Sequence, residues 1–193
     1  AGTETIDLNV NDPISRITVK VALTNNSWTP TGHPARSIIK VELVDGANVL
    51  HSLRGGYTEA VAFYGTKVAP FNYANYTDNG IAVATAPIYF GRRLYDPVYA
   101  LDPKKFRNLQ LKVSHNYALG GAVPDAATLE VWADLFDEMP PAPKGFLSAQ
   151  SLWSKTLVAS TTDYIEIPTD HKIRLVLPAA FSNVEEPDIN IDN

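Results

Sequence analysis

Four histidines are the first candidates for chemistry, because imidazole transfers protons near neutral pH and binds transition metals. His33, His51, His115 and His171 are far apart and form no H-x-x-x-H or H-E-x-x-H spacing. The chain contains no cysteine, which excludes disulfides and thiolate metal sites. The sequence has no G-x-S-x-G elbow, P-loop or G-x-G-x-x-G motif. We therefore predict a protein that is not an enzyme, with no catalytic residues, cofactor or metal.

Acidic residues near the C-terminus are a second candidate site. Asp188-x-Asn190-x-Asp192 matches the opening of a calcium-binding loop. Such a loop also needs a glycine at its sixth position and a glutamate at its twelfth, and the sequence ends before both. We interpret these residues as a solvated acidic tail. Asn25-Asn26-Ser27 and Asn75-Tyr76-Thr77 match the glycosylation sequon. We expect neither to be glycosylated, because the residues from Ala1 onward show no secretory signal.

Three tryptophans raise the alternative of sugar binding, because an exposed indole stacks on a pyranose ring. Trp28 lies in a loop, Trp132 lies on the strand face opposite Leu129, and Trp153 is remote from both. Packing in the core or between subunits is the favoured explanation, because large aromatics dominate interfaces as well as cores. A carbohydrate-binding or adhesin-type β-sandwich module therefore stays open as an alternative function. A hydrolase would need acids brought together by the fold.

Composition favours a folded domain without nucleic-acid specificity. Hydrophobic residues make up 45% of the chain and charged residues 19%, as in ordinary globular proteins. The formal net charge is −5, and the 16 lysines and arginines are scattered instead of concentrated on one segment. A nucleic-acid-binding protein usually gathers basic charge to neutralise phosphates, so we predict no sequence-specific nucleic-acid partner. The longest apolar runs fall short of the ~20 residues that span a bilayer.

Apolar residues recur at every second position in several segments, which predicts strands with one buried and one wet face. This pattern is typical of antiparallel sheets, because parallel sheets buried on both faces give continuous apolar runs. It predicts an all-β protein. The alternating positions are Ile6, Leu8 and Val10; Ile17, Val19, Val21 and Leu23; Ile39, Val41 and Leu43; Leu109, Leu111 and Val113; Leu129, Val131, Ala133 and Leu135; Ile165 and Ile167; and Ile173, Leu175 and Leu177.

Turn signals and one helical pattern complete the local prediction. Asp45-Gly46-Ala47-Asn48 between two apolar segments predicts a β-hairpin. Tyr57, Val61 and Tyr64 recur at helical spacing, which predicts one short helix over residues 56–64 with Gly65 as its C′ residue. Residues 66–80 are rich in aromatics and asparagine without periodicity and are predicted to form a long packed loop.

A proline-rich stretch divides the chain. Pro140-Pro141-Ala142-Pro143 cannot supply ladder N–H groups, so residues 140–148 are predicted to be a stiff linker. A similar pattern occurs on either side of this stretch, at Ile6–Ile17 and again at Ile165–Leu175. In both places an apolar-acid-apolar strand is followed by a polar turn and by a second strand that has an arginine near its start. We predict a jelly-roll sandwich at 1–139, and at 149–193 the opening strands of a second, incomplete jelly roll or a C-terminal extension.

Three blocks together resemble the double jelly-roll major capsid proteins of tailless icosahedral viruses, particularly bacterial ones. They are Pro87–Asp96 with its continuation through Tyr99–Asp102 to Phe106–Val113, the opening strand Ile14–Leu23 followed by a helix near Tyr57, and the restart at Ile165–Leu177 after the linker. The resemblance implies an eight-stranded antiparallel jelly-roll sandwich with one short helix. The family places two sandwiches in one chain, whereas only one complete sandwich fits here.

What the resemblance implies about function is structural. It implies a capsid (coat) protein of the virion that is assembled in the host cytoplasm. Its subunits would form homotrimers, the pseudo-hexagonal capsomers of an icosahedral shell. The partners would be sister subunits, neighbouring capsomers and minor capsid proteins, and an internal membrane beneath the shell stays open. Loops 24–37, 66–80 and 91–105 would carry intersubunit contacts, with rim ion pairs from Arg92, Arg93, Asp96 and Asp102 contributing about 0–1 kcal/mol each.

Overall fold

Seven strands and one α-helix form within the residues that the computed structural model describes, which are 1–26, 32–137, 141–156, 162, 164–168 and 172–179. No helix in these ranges is long and apolar enough to cross a membrane. The elements are β1 (Gly2–Asp7), β2 (Ile14–Asn25), β3 (Ile38–Asp45), β4 (Asn48–Leu53), α1 (Gly55–Thr66), β5 (Ile81–Tyr89), β6 (Leu109–His115) and β7 (Pro124–Leu135).

The strands form two antiparallel sheets. One sheet has the order β1-β6-β3-β4 and the other the order β5-β2-β7. Each sheet therefore joins strands that are distant in sequence, and β2 pairs along its length with β5 on one side and β7 on the other. The predicted all-β, antiparallel sandwich with one helix is confirmed.

The core lies between the sheets, where the alternating side chains predicted for β2 meet those of β3 and β6. Ile17, Val19 and Leu23 of β2 are fully buried, as are Leu43 and Leu111 across the interface. Burial of each such side chain stabilises the fold by about 1.5–3 kcal/mol relative to exposure. The alternation is thus explained, because the apolar side chains form this interface and the polar ones face away from it. On the outer face, Lys20 Nζ lies 3.0 Å from Glu130 Oε2 in an ion pair.

One prediction of a buried residue is wrong because of a β-bulge. The alternation places Ile39 with Val41 and Leu43, but Ile39 is 40% exposed and Ile38 is buried in its place. The register of β3 against β6 shifts between Ile38 and Lys40. A bulge inserts one residue, so the side chains before it change faces.

The predicted hairpin and helix are both present, with one change at the end of the helix. Asp45 pairs with Asn48 across a two-residue turn in which Gly46 has φ 59°. Helix α1 runs to Thr66, and Lys67 ends it in the left-handed conformation with its N–H donating to Phe63 O. Gly65 was expected to hold that place but lies within the helix. Strand β5, missed by the alternation, is largely buried on both faces and so follows no period of two.

Within the described residues, the sheet that contains β2 has one strand fewer than its partner. The strand orders are those of a jelly roll from which the strand beside β7 is left out. Side chains of β7 that face inward next to β2 accordingly remain accessible: Ala127 and Ala133 are exposed, and Leu129 and Val131 are only half-buried. The described residues therefore contain seven strands, whereas the predicted jelly roll has eight.

The predicted linker packs against the sandwich where it is described. Lys144 N donates to Val98 O at 2.9 Å, and Leu147 N donates to Phe90 O at 2.8 Å. The ring of Phe146 contacts the rings of Phe90 and Phe106 edge to face. Residues Ala1–Thr156 accordingly form one compact unit and Leu157–Asn193 another. The division into 1–139, 140–148 and 149–193 stays a prediction.

The strands predicted near the C-terminus do not form in the described part of the second unit. Residues 164–168 and 172–179 belong to no strand, and all are exposed. The alternation of Ile165–Ile167 and Ile173–Leu177 is therefore a strand pattern without a ladder. A strand exists only with a neighbour that pairs its backbone N–H and C=O groups, which alternation by itself does not supply.

Candidate functional site

Helix α1 and the loop after it are fastened to the outside of β5 by a buried polar chain. Asn72 Nδ2 donates to Glu59 Oε2 at 2.8 Å, and Thr85 N donates to Asn72 Oδ1 at 3.1 Å. The Thr85 hydroxyl also donates to Phe71 O at 2.8 Å. Helix, loop and strand are thus joined through one amide side chain, and Asn72 has the donor and acceptor that this requires.

Glu59 is the unusual member of this chain of hydrogen bonds. Its residue is 8% exposed, and Oε1 has no hydrogen-bond partner among the described residues. Burial raises the pKa of the Glu59 carboxyl to about 7, against a smaller opposing effect of the hydrogen bond from Asn72. The protonated form suits the site because a buried, unpaired charge is costly.

The far end of the same loop is held by Asn25, the last residue of β2. Asn25 is fully buried; its Nδ2 donates to Asn75 O, and its Oδ1 accepts from Ala122 N at 3.2 Å. Asn79 N also donates to Asn25 O at 2.9 Å. The burial of Asn25 makes its side chain inaccessible to glycan attachment. The loop is therefore anchored at both ends.

This anchored segment presents large apolar side chains to solvent. Each is more than half exposed, and we call the set the aromatic surface: Tyr64 (51%), Val68 (60%), Phe71 (66%), Tyr73 (54%) and Ile81 (55%). Tyr73 also pairs with Val83 through two backbone hydrogen bonds of 2.8 Å, which covers part of the β5 edge. Exposed apolar groups on a fixed backbone are typical of interaction surfaces.

The loop that follows β5 contains the charged residues predicted to form rim ion pairs. Arg92 Nε and Nη2 both donate to Asp96, the shorter contact being 2.7 Å. Asp96 is only 1% exposed and also accepts from the backbone N–H groups of Arg92 and Val98. Its role as a rim residue was therefore predicted wrongly: it is a buried brace of its own loop. Arg93 is exposed, and Asp102 caps a short 3-10 turn through Lys104 N.

The Arg92 guanidinium holds the pKa of the Asp96 carboxyl well below its usual range. Desolvation opposes this effect, and the backbone N–H groups of Val98 and Arg92 add to it. Because the carboxylate is the bonded form, the loop is braced wherever Asp96 is ionised.

The histidines do not form a shared site. His51 lies in β4, is 3% exposed, and hydrogen-bonds no described protein group through its ring; burial lowers its pKa to about 4. His115 Nε2 lies 3.6 Å from Glu4 Oε1, and His33 Nδ1 accepts from Ala35 N. Across the described ranges no three His, Asp or Glu side chains are grouped to hold a metal. His171, the motif Asp188–Asp192 and Trp28 lie outside the described residues.

Of the two described tryptophans, Trp132 carries a cation beside it. Trp132 is 52% exposed on the outer face of β7, and the Lys20 ammonium lies 5.0 Å from its ring centroid. Trp153 is 40% exposed. The sequence predicts an aromatic loop at 66–80 that carries intersubunit contacts, but the solvent exposure of its side chains and the Asn25 anchor were missed, because neither has a local signal.

Comparison with known proteins gives little. No protein-family model and no curated protein matches this chain. The crystal structure of the STIV MCP (major capsid protein) is similar to it, with a TM-score of 0.45 and 15% sequence identity. The match covers 67% of this chain and 41% of that chain, so this chain spans less than half the length of the solved protein. A likeness of this strength does not bear on function.

Glu59→Gln tests the buried carboxyl. The pKa of the Glu59 carboxyl is raised from 4.5 to about 7 in the folded state. The contribution of this carboxyl to the stability of the wild type is therefore fully present below pH 4.5 and is lost as pH rises through 7. The glutamine cannot ionise, so E59Q is expected to exceed the wild type by up to about 3 kcal/mol at pH 8 and to match it at pH 4.5. Urea unfolding measures this, with exposed Glu166→Gln as the control. Equal stability of E59Q and wild type at pH 8 would contradict the assignment.

Asp96→Asn tests the brace of the loop. Replacing the ionised acceptor weakens its bonds to Arg92 and is expected to lower the free energy of unfolding at pH 7 by about 1.5–3 kcal/mol. Because the folded pKa is depressed, wild type holds this contribution above the ordinary value of 3.8 and loses it as pH falls through the folded value. D96N should therefore lose less stability than wild type in acid. Asp102→Asn serves as the control, and parallel pH curves for wild type and D96N would rule out the brace.

Proposed function

We propose that this chain is a capsid (coat) protein of a virion, and that it acts by assembling with copies of itself and not by catalysis. The observation that carries the proposal is the aromatic surface. Its side chains lie on one segment, residues 64–81, whose ends are fixed by Glu59, Asn72 and Asn25. Holding large apolar groups in water is costly unless a partner covers them, and a rigid backbone lowers the entropic cost of association.

The fold supports the proposal because two of its sheet edges are covered within the described residues. The β4 edge is covered by the segment after the linker: Ser52 N donates to Ala149 O at 3.0 Å. The β5 edge is covered in part by Tyr73. A shell protein is held at very high local concentration, where covering these edges limits the places at which strands of different copies can pair.

The residues that resemble viral capsid proteins belong to the described sandwich. The block from Pro87 to Val113 comprises the end of β5, the loop braced by Asp96, and β6. The resemblance extends the proposal to homotrimers, which form capsomers of an icosahedral shell, with neighbouring capsomers and minor capsid proteins as further partners. The resemblance also extends the proposal to a tailless, bacterial virus and to assembly in the host cytoplasm.

Self-association tests the proposal. The purified chain is expected to form trimers or larger particles as concentration rises, measured by light scattering after size exclusion and by electron microscopy. Val68→Asp with Phe71→Asp places charges on the aromatic surface and is expected to weaken association by at least roughly thirtyfold, the effect of losing a contact worth about 2 kcal/mol.

The matched control is Leu152→Asp with Tyr164→Asp, because both residues are exposed apolar side chains elsewhere in the chain. The control should assemble as wild type does. A wild-type chain that stays monomeric at every concentration would refute the proposal, and so would equal weakening by the control pair.

A further inference from the structure

Strand β7 has an unpaired edge within the described residues. It is twelve residues long and pairs with β2 alone, so every second backbone N–H and C=O group of β7 points away from the sheet. An unpaired edge of this length is a template for another strand. The jelly-roll strand order leaves a position at this place, facing β1 of the other sheet.

The side chains around this position also lack cover. Leu129 and Val131 of β7 are half-buried and Ala127 is exposed, although all three face inward. A strand placed here would complete the core layer, provided that its inward residues are apolar.

The second unit of the chain contains a segment with this pattern. Residues 172–179 read Lys-Ile-Arg-Leu-Val-Leu-Pro-Ala and form no strand. Ile173, Leu175 and Leu177 alternate and are 48%, 43% and 37% exposed. The residues between them are Lys172, Arg174 and Val176, so one face is apolar and the other mostly basic.

We propose that residues 172–179 of a second copy of this chain add to the edge of β7 as an antiparallel strand. One register satisfies both faces. It places Ile173, Leu175 and Leu177 opposite Val131, Leu129 and Ala127 on the inward side. On the outer side it places Arg174 opposite Glu130, Lys172 opposite the exposed Trp132, and Val176 opposite Thr128. Opposite charges, a cation beside an indole, and a pair of β-branched residues are all favourable cross-strand pairs.

The state of residues 172–179 in the single chain favours a second copy as the donor. They belong to no strand there and are exposed, and β7 pairs with β2 alone among the described residues. A head-to-tail contact of this kind repeats from copy to copy, which is the geometry of rings and shells. The inference deepens the proposed self-assembly by naming a contact that operates in it.

Cysteine cross-linking tests the inference, and the absence of native cysteine makes single substitutions clean. Thr128→Cys and Val176→Cys are made in separate, differently tagged full-length chains, mixed at assembling concentration and treated with a short bis-maleimide. Both positions are exposed, so neither variant should disturb folding. The expected result is a cross-linked heterodimer, at least tenfold more abundant than with Val49→Cys in place of Thr128→Cys, since Val49 lies at the opposite edge and is 43% exposed.

A charge reversal tests the register. Arg174→Glu in the V176C chain should lower the heterodimer yield severalfold, because it sets a second carboxylate against Glu130, whereas Lys104→Glu at a distant exposed position should not. Cross-linking confined to single chains that carry both cysteines would overturn the second copy as donor. Absence of cross-linking in either format would overturn the added strand.

The two proposals fail separately. Trimers or particles that assemble without the T128C–V176C cross-link would refute the strand and leave the capsid function standing. Cross-linked pairs that never grow into trimers or particles would refute the capsid function and leave the strand standing.

Discussion

The apolar contact between β2 and the sheet of β3 and β6 is the interaction on which the rest of the molecule depends. Ile17, Val19 and Leu23 are fully buried against Leu43 and Leu111. The loop braced by Asp96 leads into β6, and Asn25 at the end of β2 holds the loop before β5. These strands come from distant parts of the sequence, and two paired strands by themselves are only marginally stable in water. We therefore expect the two sheets to form together. The positions of these loops therefore depend on the interface between the two sheets.

Buried polar groups then convert a stable sandwich into one with defined surfaces. Asn25 joins the backbone of two loops, Asn72 joins its loop to β5 and to Glu59, and Asp96 bonds the backbone of its own loop; each is partly or fully buried. A polar side chain in such a place stabilises only one loop conformation, because any other leaves it unpaired at a cost of about 1–3 kcal/mol. Asn25 and Asn72 hold the segment that carries the aromatic surface in this way, which is what the proposed self-association requires.

The sequence predicts the parts of this fold that are governed by local periodicity. Alternation identifies β2, β6 and β7, the Asp45–Asn48 turn identifies the hairpin, and helical spacing identifies α1. It fails where the structure depends on distant groups: the bulge at Ile39 is imposed by pairing with β6, and β5 is buried on both faces and has no alternation. Residues 173–177 fail in the opposite way: they alternate as a strand would, but in the described structure they pair with no other strand and so form none.

The candidate site was less predictable than the fold for the same physical reason. Asp96 carries the charge expected of a rim residue, and only its burial beside Arg92 shows that it braces its own loop. Phe71 and Tyr73 are predicted in an aromatic loop and Tyr64 in the helix before it, but the exposure of these side chains depends on the anchor at Glu59, Asn72 and Thr85. Solvent exposure is a property of the packed chain, which composition does not encode.

Native-state hydrogen exchange of β2 and β6 tests the central interface most directly. These are interior strands, one in each sheet, and if their apolar faces stabilise each other they must open in a single event. The account predicts that their amides are the slowest in the protein and report the same free energy of opening, equal to that of global unfolding. Opening free energies for β2 and β6 that differ by more than about 1 kcal/mol, or greater protection in α1 than in either strand, would contradict it.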